Sequence, residues 1–528
     1  RLMKRHPVPM GEFSIGSRRG TSSHQFNPLM ILADHDANED HGFACAMELV
    51  YSGGFMAQAG MDQYKSTRFA IGLADDRFDW KLGRGEVFTA PEVIMTLSSE
   101  GFAKLSRNLH DCIRQHLCRG KYKDQLRPVL INSWEAFYMD FTGDKILGLA
   151  REAKELGIDL LVLDDGWFGE RNDDCRALGD WYVNTDKLGC TLPELVEKVN
   201  AVGMKFGLWV EPEMVNEDSA LYREHPDWAM VLPGRKPVRG RHQLVLDFSR
   251  AEVVDAIYDR ISEVLSSCRI EYLKWDMNRS IADVYSATAG AEDQGKVLYR
   301  YVLGLYDFLE RLNRRYPDLL IEGCSGGGGR FDAGMLYYCP QIWCSDNTDP
   351  IDRTRIQYGT SFGYPLCTMG AHVSASPNHA DGRTSPVSVR STAAMAGTFG
   401  YELDLSELSA EDKAQIRKDI ETFRELSALI LRGDYYRLSN PFDGKLAAWE
   451  TVSRDQSEAL VSAVRLDTHD NPDIYYVRLR GLAPGASYMD RETGRTYSAD
   501  ALMYGGLPVP PAGGDSSALM VHLCREAQ

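Results

Sequence analysis

No apolar run in the 528-residue chain approaches the twenty or so residues that a membrane span takes. Basic residues are in deficit, 59 against 76 acidic, and the net charge of −17 disfavours nucleic acid and anionic membranes as partners. A neutral substrate is indifferent to that field. The 11 cysteines are odd in number and scattered without paired spacing, which fits reduced thiols in the cytoplasm rather than a disulfide framework. No His pair stands at ligand spacing near the strand ends described below, so the pattern holds no zinc centre. The glycines at 326–329 are followed by Arg330 and not by Lys-Ser or Lys-Thr, which removes a phosphate-loop reading. His35, Asp36, Asp40 and His41 cluster in sequence, but no rigid element fixes them, and they read as an exposed loop.

What is present is an ordinary globular mix, 44% apolar and 26% charged, long enough for two to four domains. Residues 1–126 carry short alternating segments at 42–51, 63–72 and 86–95, a β-sandwich pattern, and then an amphipathic helix over 98–118 that leads onward. From 127 to 432 strand-like runs alternate with helical ones, which predicts a parallel sheet with crossovers. Strands are expected at 129–133, 160–163, 206–210, 244–248, 272–275, 319–322, 342–344 and 368–373. Eight such units predict an α/β fold of the (β/α)8 barrel type. After a helix over 412–431, residues 433–528 return to short strands at 444–451, 457–466, 474–479 and 516–523, a small antiparallel sandwich with no chemistry of its own.

The strand ends carry the information. They run into Trp134-Glu135, Asp164-Asp165-Gly166-Trp167, Trp209-Val210-Glu211, Asp247, Lys274-Trp275-Asp276, Glu322-Gly323-Cys324 and Ser345-Asp346-Asn347, with His372 near the last. Active sites of such barrels lie at this end of the sheet. Burying an unpaired charge costs several kcal/mol, so acids recurring at most strand ends are poorly explained as stability. Two chemistries use them. A metal enzyme would want convergent carboxylates as ligands. A glycosidase wants two carboxylates astride a bond and aromatic faces for a sugar ring, and Trp134, Trp167, Trp209, Trp275 and Trp343 favour it.

Seven stretches, in order, resemble the bacterial α-galactosidases of glycoside hydrolase family 36: 16–24 (GSRRGTSSH), 49–55 (LVYSGGF), 163–169 (LDDGWFG), 211–215 (EPEMV), 274–279 (KWDMNR), 324–332 (CSGGGGRFD) and 369–374 (MGAHVS). The resemblance implies an N-terminal β-supersandwich, a catalytic barrel and a C-terminal sandwich, with this chain beginning partway through the first and opening on Arg1. It implies a retaining exo-α-galactosidase acting on oligosaccharides such as melibiose and raffinose, without metal or organic cofactor. Asp276 is then the nucleophile and Asp346 the general acid/base. Asp164 and Asp165 match the pair that holds the 4- and 6-hydroxyls, Arg241 and Lys274 hydroxyl donors, Cys324 and Gly327 the contact to the 2-hydroxyl, and Trp134 and Trp209 the pocket walls. Asn347 stands where many members have a second Asp. Full-length members are tetramers in which part of the N-terminal domain reaches a neighbour's active site. The other readings are an α-N-acetylgalactosaminidase, a transglycosylating relative, and a truncated chain that binds galactosides without turning them over.

Overall fold

The computed structural model describes residues 3–22, 24–466, 473–511 and 516–526; Arg1 and Ser23, the latter in the first of the seven stretches, lie outside them. A closed parallel barrel forms the centre. Its strands are β1 (Leu130–Asn132), β2 (Leu160–Leu163), β3 (Lys205–Val210), β4 (Tyr272–Trp275), β5 (Leu320–Gly323), β6 (Gln341–Trp343), β7 (Met369–Ser374) and β8 (Thr398–Glu402). Each is followed by helix, from Gly143–Leu156 after β1 to Ala410–Arg432 after β8.

Strand periodicity sorts the side chains. Leu130, Leu160, Val162, Tyr272 and Leu320 meet in one small apolar cluster. Leu161, Leu163, Leu273 and Trp275, of the opposite parity, join the large core shared with the helices. Lys274 and Asp276 share the parity of Tyr272, so the strand that packs the barrel at its lower end aims a cation and a carboxylate inward at its upper end.

The eight strands are not quite the eight expected. Residues 244–248 do not enter the barrel: only Leu244–Val245 is strand, and it pairs antiparallel with Met214–Val215 in a separate ribbon. The whole excursion between β3 and the helix Ala251–Ser267 stands outside the sheet. The eighth barrel strand is instead β8, which pairs with β7 on one side and β1 on the other. Gly400 lets it close: a Cβ there would lie 2.8 Å from the His372 ring and 3.0 Å from the Leu130 carbonyl oxygen.

Before the barrel stand two three-stranded antiparallel sheets, Gly11–Gly16 with Phe55–Met61 and Thr67–Leu73, and Leu29–Ala33 with Ala44–Leu49 and Val93–Ser98. The expected long helix is Gly101–Cys112, prolonged by a wider turn to Leu117, and its Leu105 and Leu109 pack on Ala44 and Ala46. After the barrel a six-stranded antiparallel sheet is built from Asp434–Arg437, Leu446–Val452, Glu458–Arg465, Ser517–Arg525, Ser487–Asp490 and Thr496–Ser498. Among the described residues no helix is long and apolar enough to cross a membrane.

Candidate active site

A cavity of about 230 Å³ opens at the C-terminal ends of the barrel strands. Trp134, Asp164, Asp165, Trp209, Arg241, Lys274, Asp276 and Asp346 all line it. Six of these come from β1 to β4 and the turns that follow them, Asp346 follows β6, and Arg241 arrives from the excursion, where it and His242 hold φ of 51° and 60°. Both are non-glycine residues in the left-handed region, a conformation an extended strand would not give.

Asp276 is surrounded by donors. The backbone N–H groups of Met277 and Gly326 donate to Oδ1 at 2.8 and 3.1 Å, while Asn278 Nδ2 and Trp209 Nε1 donate to Oδ2 at 2.7 and 3.2 Å. Burial pushes this carboxyl up, but the charge of Lys274 and hydrogen bonds from the Cys324 thiol, Asn278 and Gly326 together outweigh it, leaving Asp276 below its ordinary value. Asp346 goes the other way. Burial and the nearby negative charge of Asp276 raise it, against Lys274, Arg241 and the Trp343 Nε1–H that donates to Oδ1 at 3.1 Å. One cavity thus holds a carboxyl pushed down and a second pushed up.

Asp164 and Asp165 are adjacent yet both reach the cavity, because Gly166 turns the chain with φ of 111°. Asp164 Oδ2 accepts from Asn132 Nδ2 at 2.7 Å and from Lys274 Nζ at 2.8 Å. Burial disfavours the Lys274 charge, but Asp164 leads the groups that restore it, so the ammonium is firmly protonated. Asp165 is gripped by both arms of Arg171, at 3.0 and 2.8 Å, and Arg171 also donates to the Arg176 carbonyl at 2.9 Å. Even so, burial keeps Asp165 above its ordinary value, with Arg171 the main opposing influence.

Cys324 and Gly327 are not among the lining residues. Cys324 lies against Asp276, and Gly327, with φ of 79°, backs the Asp346 turn so closely that a Cβ would come within 2.7 Å of the Asp346 amide nitrogen. Of the five tryptophans read as sugar faces, Trp134, Trp209 and Trp343 line the cavity. Trp167 and Trp275 are core: Trp167 Nε1 donates to the Trp209 carbonyl at 2.9 Å and Trp275 Nε1 to Glu213 at 2.8 Å. Asp247, expected at a barrel strand end, is buried outside the cavity and accepts from Ser249. Asn347 turns its amide to Asp352 at 2.8 Å.

Sequence reasoning did not single out several lining residues: Tyr138, Thr348, His379, Ala380 and Glu402. Glu402 closes β8, the strand the sequence did not reveal; its signal is the familiar one, an acid after an aromatic strand. Glu135 accepts from Thr348 Oγ1 at 2.7 Å and is pushed up to about 7 by burial and then by Glu402. Among the described residues, three His/Cys/Asp/Glu groups are close enough to share a cation: Asp174–Cys175–His242, Glu458–His522–Cys524 and Asp349–Asp352–Asp381. None of their members lines the cavity.

Two carboxylates pushed in opposite directions within one cavity and faced by indole rings are equipment for cleaving a glycosidic bond, and they place the chain among the glycoside hydrolases. Comparison with known proteins narrows the class. Residues 87–433 match the Melibiase family model, 1–83 the glycosyl hydrolase family 36 N-terminal domain and 446–523 its C-terminal domain. The chain belongs to glycosyl hydrolase family 36. It is 58% identical, over 97% of its length, to the bifunctional α-galactosidase/sucrose kinase of Mediterraneibacter gnavus, and spans 54% of that protein. It is 47% identical, over 99% of its length, to the α-galactosidase AgaA of Geobacillus stearothermophilus, and covers 72% of it. The structure of an AgaA variant in complex with raffinose superposes with a TM-score of 0.97 at 46% identity, covering 99% of this chain and 73% of that one.

Proposed function

We propose that the chain is a retaining exo-α-galactosidase that releases terminal α-D-galactosyl residues from short oligosaccharides such as melibiose and raffinose. The carrying observation is the pair Asp276 and Asp346, lowered and raised within one cavity. Asp276 attacks the anomeric carbon as the glycosidic C–O bond breaks, and Asp346 gives its proton to the departing oxygen. Asp346 then takes a proton from the water that attacks the same carbon, freeing galactose and the Asp276 carboxylate. Asp164 and Asp165 accept from the 4- and 6-hydroxyls, Lys274 and Arg241 donate, Cys324 and Gly327 back the 2-hydroxyl side from behind Asp276 and Asp346, and Trp134 and Trp209 wall the ring. The AgaA–raffinose complex supports the substrate class.

The chain divides at 1–126, 127–432 and 433–528 in this reading. Eleven cysteines, all free thiols, support a cytoplasmic setting. An exposed apolar row, Val93, Met95 and Leu97 on the outer strand of an N-terminal sheet, supports a homo-oligomer. Neither nucleic acid nor membrane is a partner of so acidic a chain. Proton NMR of nitrophenyl α-galactoside hydrolysis tests the reading, with α-galactose appearing first. Early β-galactose refutes retention, activity on the α-N-acetylgalactosaminide alone refutes the substrate, and no turnover of either makes the chain a binder.

A further inference from the structure

Glu402 stands at the end of β8, 3% exposed, and its small accessible surface faces the sugar cavity. Its Oε2 lies 2.9 Å from His372 Nδ1. Oε1 makes no protein hydrogen bond, yet it is not among the sealed-off buried atoms: it opens on the cavity. The support behind it is built. His372 leans into space that exists only because residue 400 is glycine, and its ring lies on Trp343, centroids 4.3 Å apart. Trp343 in turn donates to Asp346. A buried carboxyl with one oxygen anchored and the other left open to a ligand is costly for stability alone.

Resting on the galactosidase reading, the geometry points to Glu402 as a further substrate-binding residue, whose Oε1 meets the 3-hydroxyl of the galactosyl ring. The hydroxyl follows from order around the ring. The 4- and 6-hydroxyls fall to Asp164 and Asp165, the 2-hydroxyl to Cys324 and Gly327, and the 3-hydroxyl lies between with no acceptor. Glu402 lines the same cavity as Asp164, at the 4-hydroxyl, and Asp346, at the glycosidic oxygen, and Lys274, Asp164, Asp346 and Arg353 are the charges that act on it. Burial, with those two carboxylates, pushes Glu402 up to about 8 against Lys274. A neutral carboxyl can both donate to and accept from a hydroxyl, and it adds no third negative charge to the pocket.

The test is kcat/KM for nitrophenyl α-galactoside and its 2-, 3-, 4- and 6-deoxy analogues, on the native chain, Glu402→Ala and Glu402→Met. Losing the contact should cost Glu402→Ala roughly tenfold to a hundredfold on the parent and on the 2-, 4- and 6-deoxy substrates. On the 3-deoxy substrate, which has no hydroxyl to lose, native and variant should agree within about twofold. A merely structural role would lower all five rates alike, and that result overturns the inference. So does an undiminished parent rate, or a loss that vanishes on a different deoxy sugar. Where the alanine variant does not fold, Glu402→Met, which keeps the side chain's length without a hydrogen-bonding group, is read on the same panel. A native chain inactive on the parent substrate refutes the galactosidase reading instead, before any variant is compared.

Discussion

Arg171→Met isolates what the Arg171 clamp does for Asp165. The guanidinium is 1% exposed and its partner carboxylate 7%, so the pair is shielded from bulk water. Removing one member of a buried ion pair typically costs about 3–5 kcal/mol, because the survivor is left charged and desolvated. Asp165 has an escape: its carboxyl already sits above its ordinary value through burial, and without Arg171 it rises further and takes up a proton. A protonated Asp165 no longer makes a charge-assisted bond to a sugar hydroxyl, a loss of about 1.5–3 kcal/mol, or roughly tenfold to a hundredfold in kcat/KM. The two defects then run in opposite directions with pH. The folded state binds the extra proton, so the stability defect shrinks as pH falls. Binding needs the ionised form, so the activity of the variant relative to the native enzyme recovers as pH rises. The double variant Arg171→Met/Asp165→Asn removes both charges and should regain stability without regaining activity. Thermal unfolding and initial rates on all three proteins across pH check this. Native kcat/KM in Arg171→Met, or a double variant no more stable than the single one, refutes the reasoning.

Asp276→Asn should abolish turnover of every galactoside, since both half-reactions pass through that carboxylate, whereas Asp346→Ala should still cleave activated aryl galactosides and be accelerated by azide; steady-state rates with and without azide decide it. The pH profile of kcat/KM should be bell-shaped, rising below the usual carboxylate range as Asp276 ionises and falling above it as Asp346 loses its proton. Replacing Lys274 by Met should move the acid limb up, because its charge is the chief influence holding Asp276 down. Dialysis against EDTA should leave activity unchanged; a loss restored by a divalent ion contradicts the purely carboxylate mechanism.

Two barrel strands, 160–163 and 272–275, were legible to the residue, because short buried runs bounded by turn residues and ending in acids have one plausible structure. Residues 244–248 show the same local signature, apolar and ending at Asp247, but a strand is defined by its neighbours, and these two paired residues found Met214–Val215 instead of the barrel. Thr398–Glu402 went unread for the opposite reason. Glycines at 397 and 400 dilute its apolar pattern, and they are there because β7 and His372 approach too closely for a side chain. The site was legible where it sits on strand ends in motifs. Arg171 was not: it returns to Asp165 from a loop, and no periodicity announces which charge a loop residue will meet. The tryptophans on strands, Trp209, Trp275 and Trp343, divide by parity, while Trp134 and Trp167 stand beyond the strand ends. Trp275 lies one residue from Lys274 and so faces the helices, and a count of aromatics could not show it.

The ring of donors around Asp276 has a consequence for timing. Groups that make a carboxylate a weaker base also make it a better leaving group. As Asp276 becomes an ester in the proposed reaction its oxygens lose negative charge, and the bonds from Met277, Gly326, Asn278 and Trp209 slacken. When that ester breaks they tighten again, so the same contacts that restrain bond formation hasten release. In the proposed reaction these contacts therefore favour breakdown of the covalent sugar over its formation, leaving less of it for a second sugar to intercept. Donors stripped from this shell shift the delay from the first half-reaction to the second, lengthening the covalent sugar's stay and opening the way to transfer in place of hydrolysis.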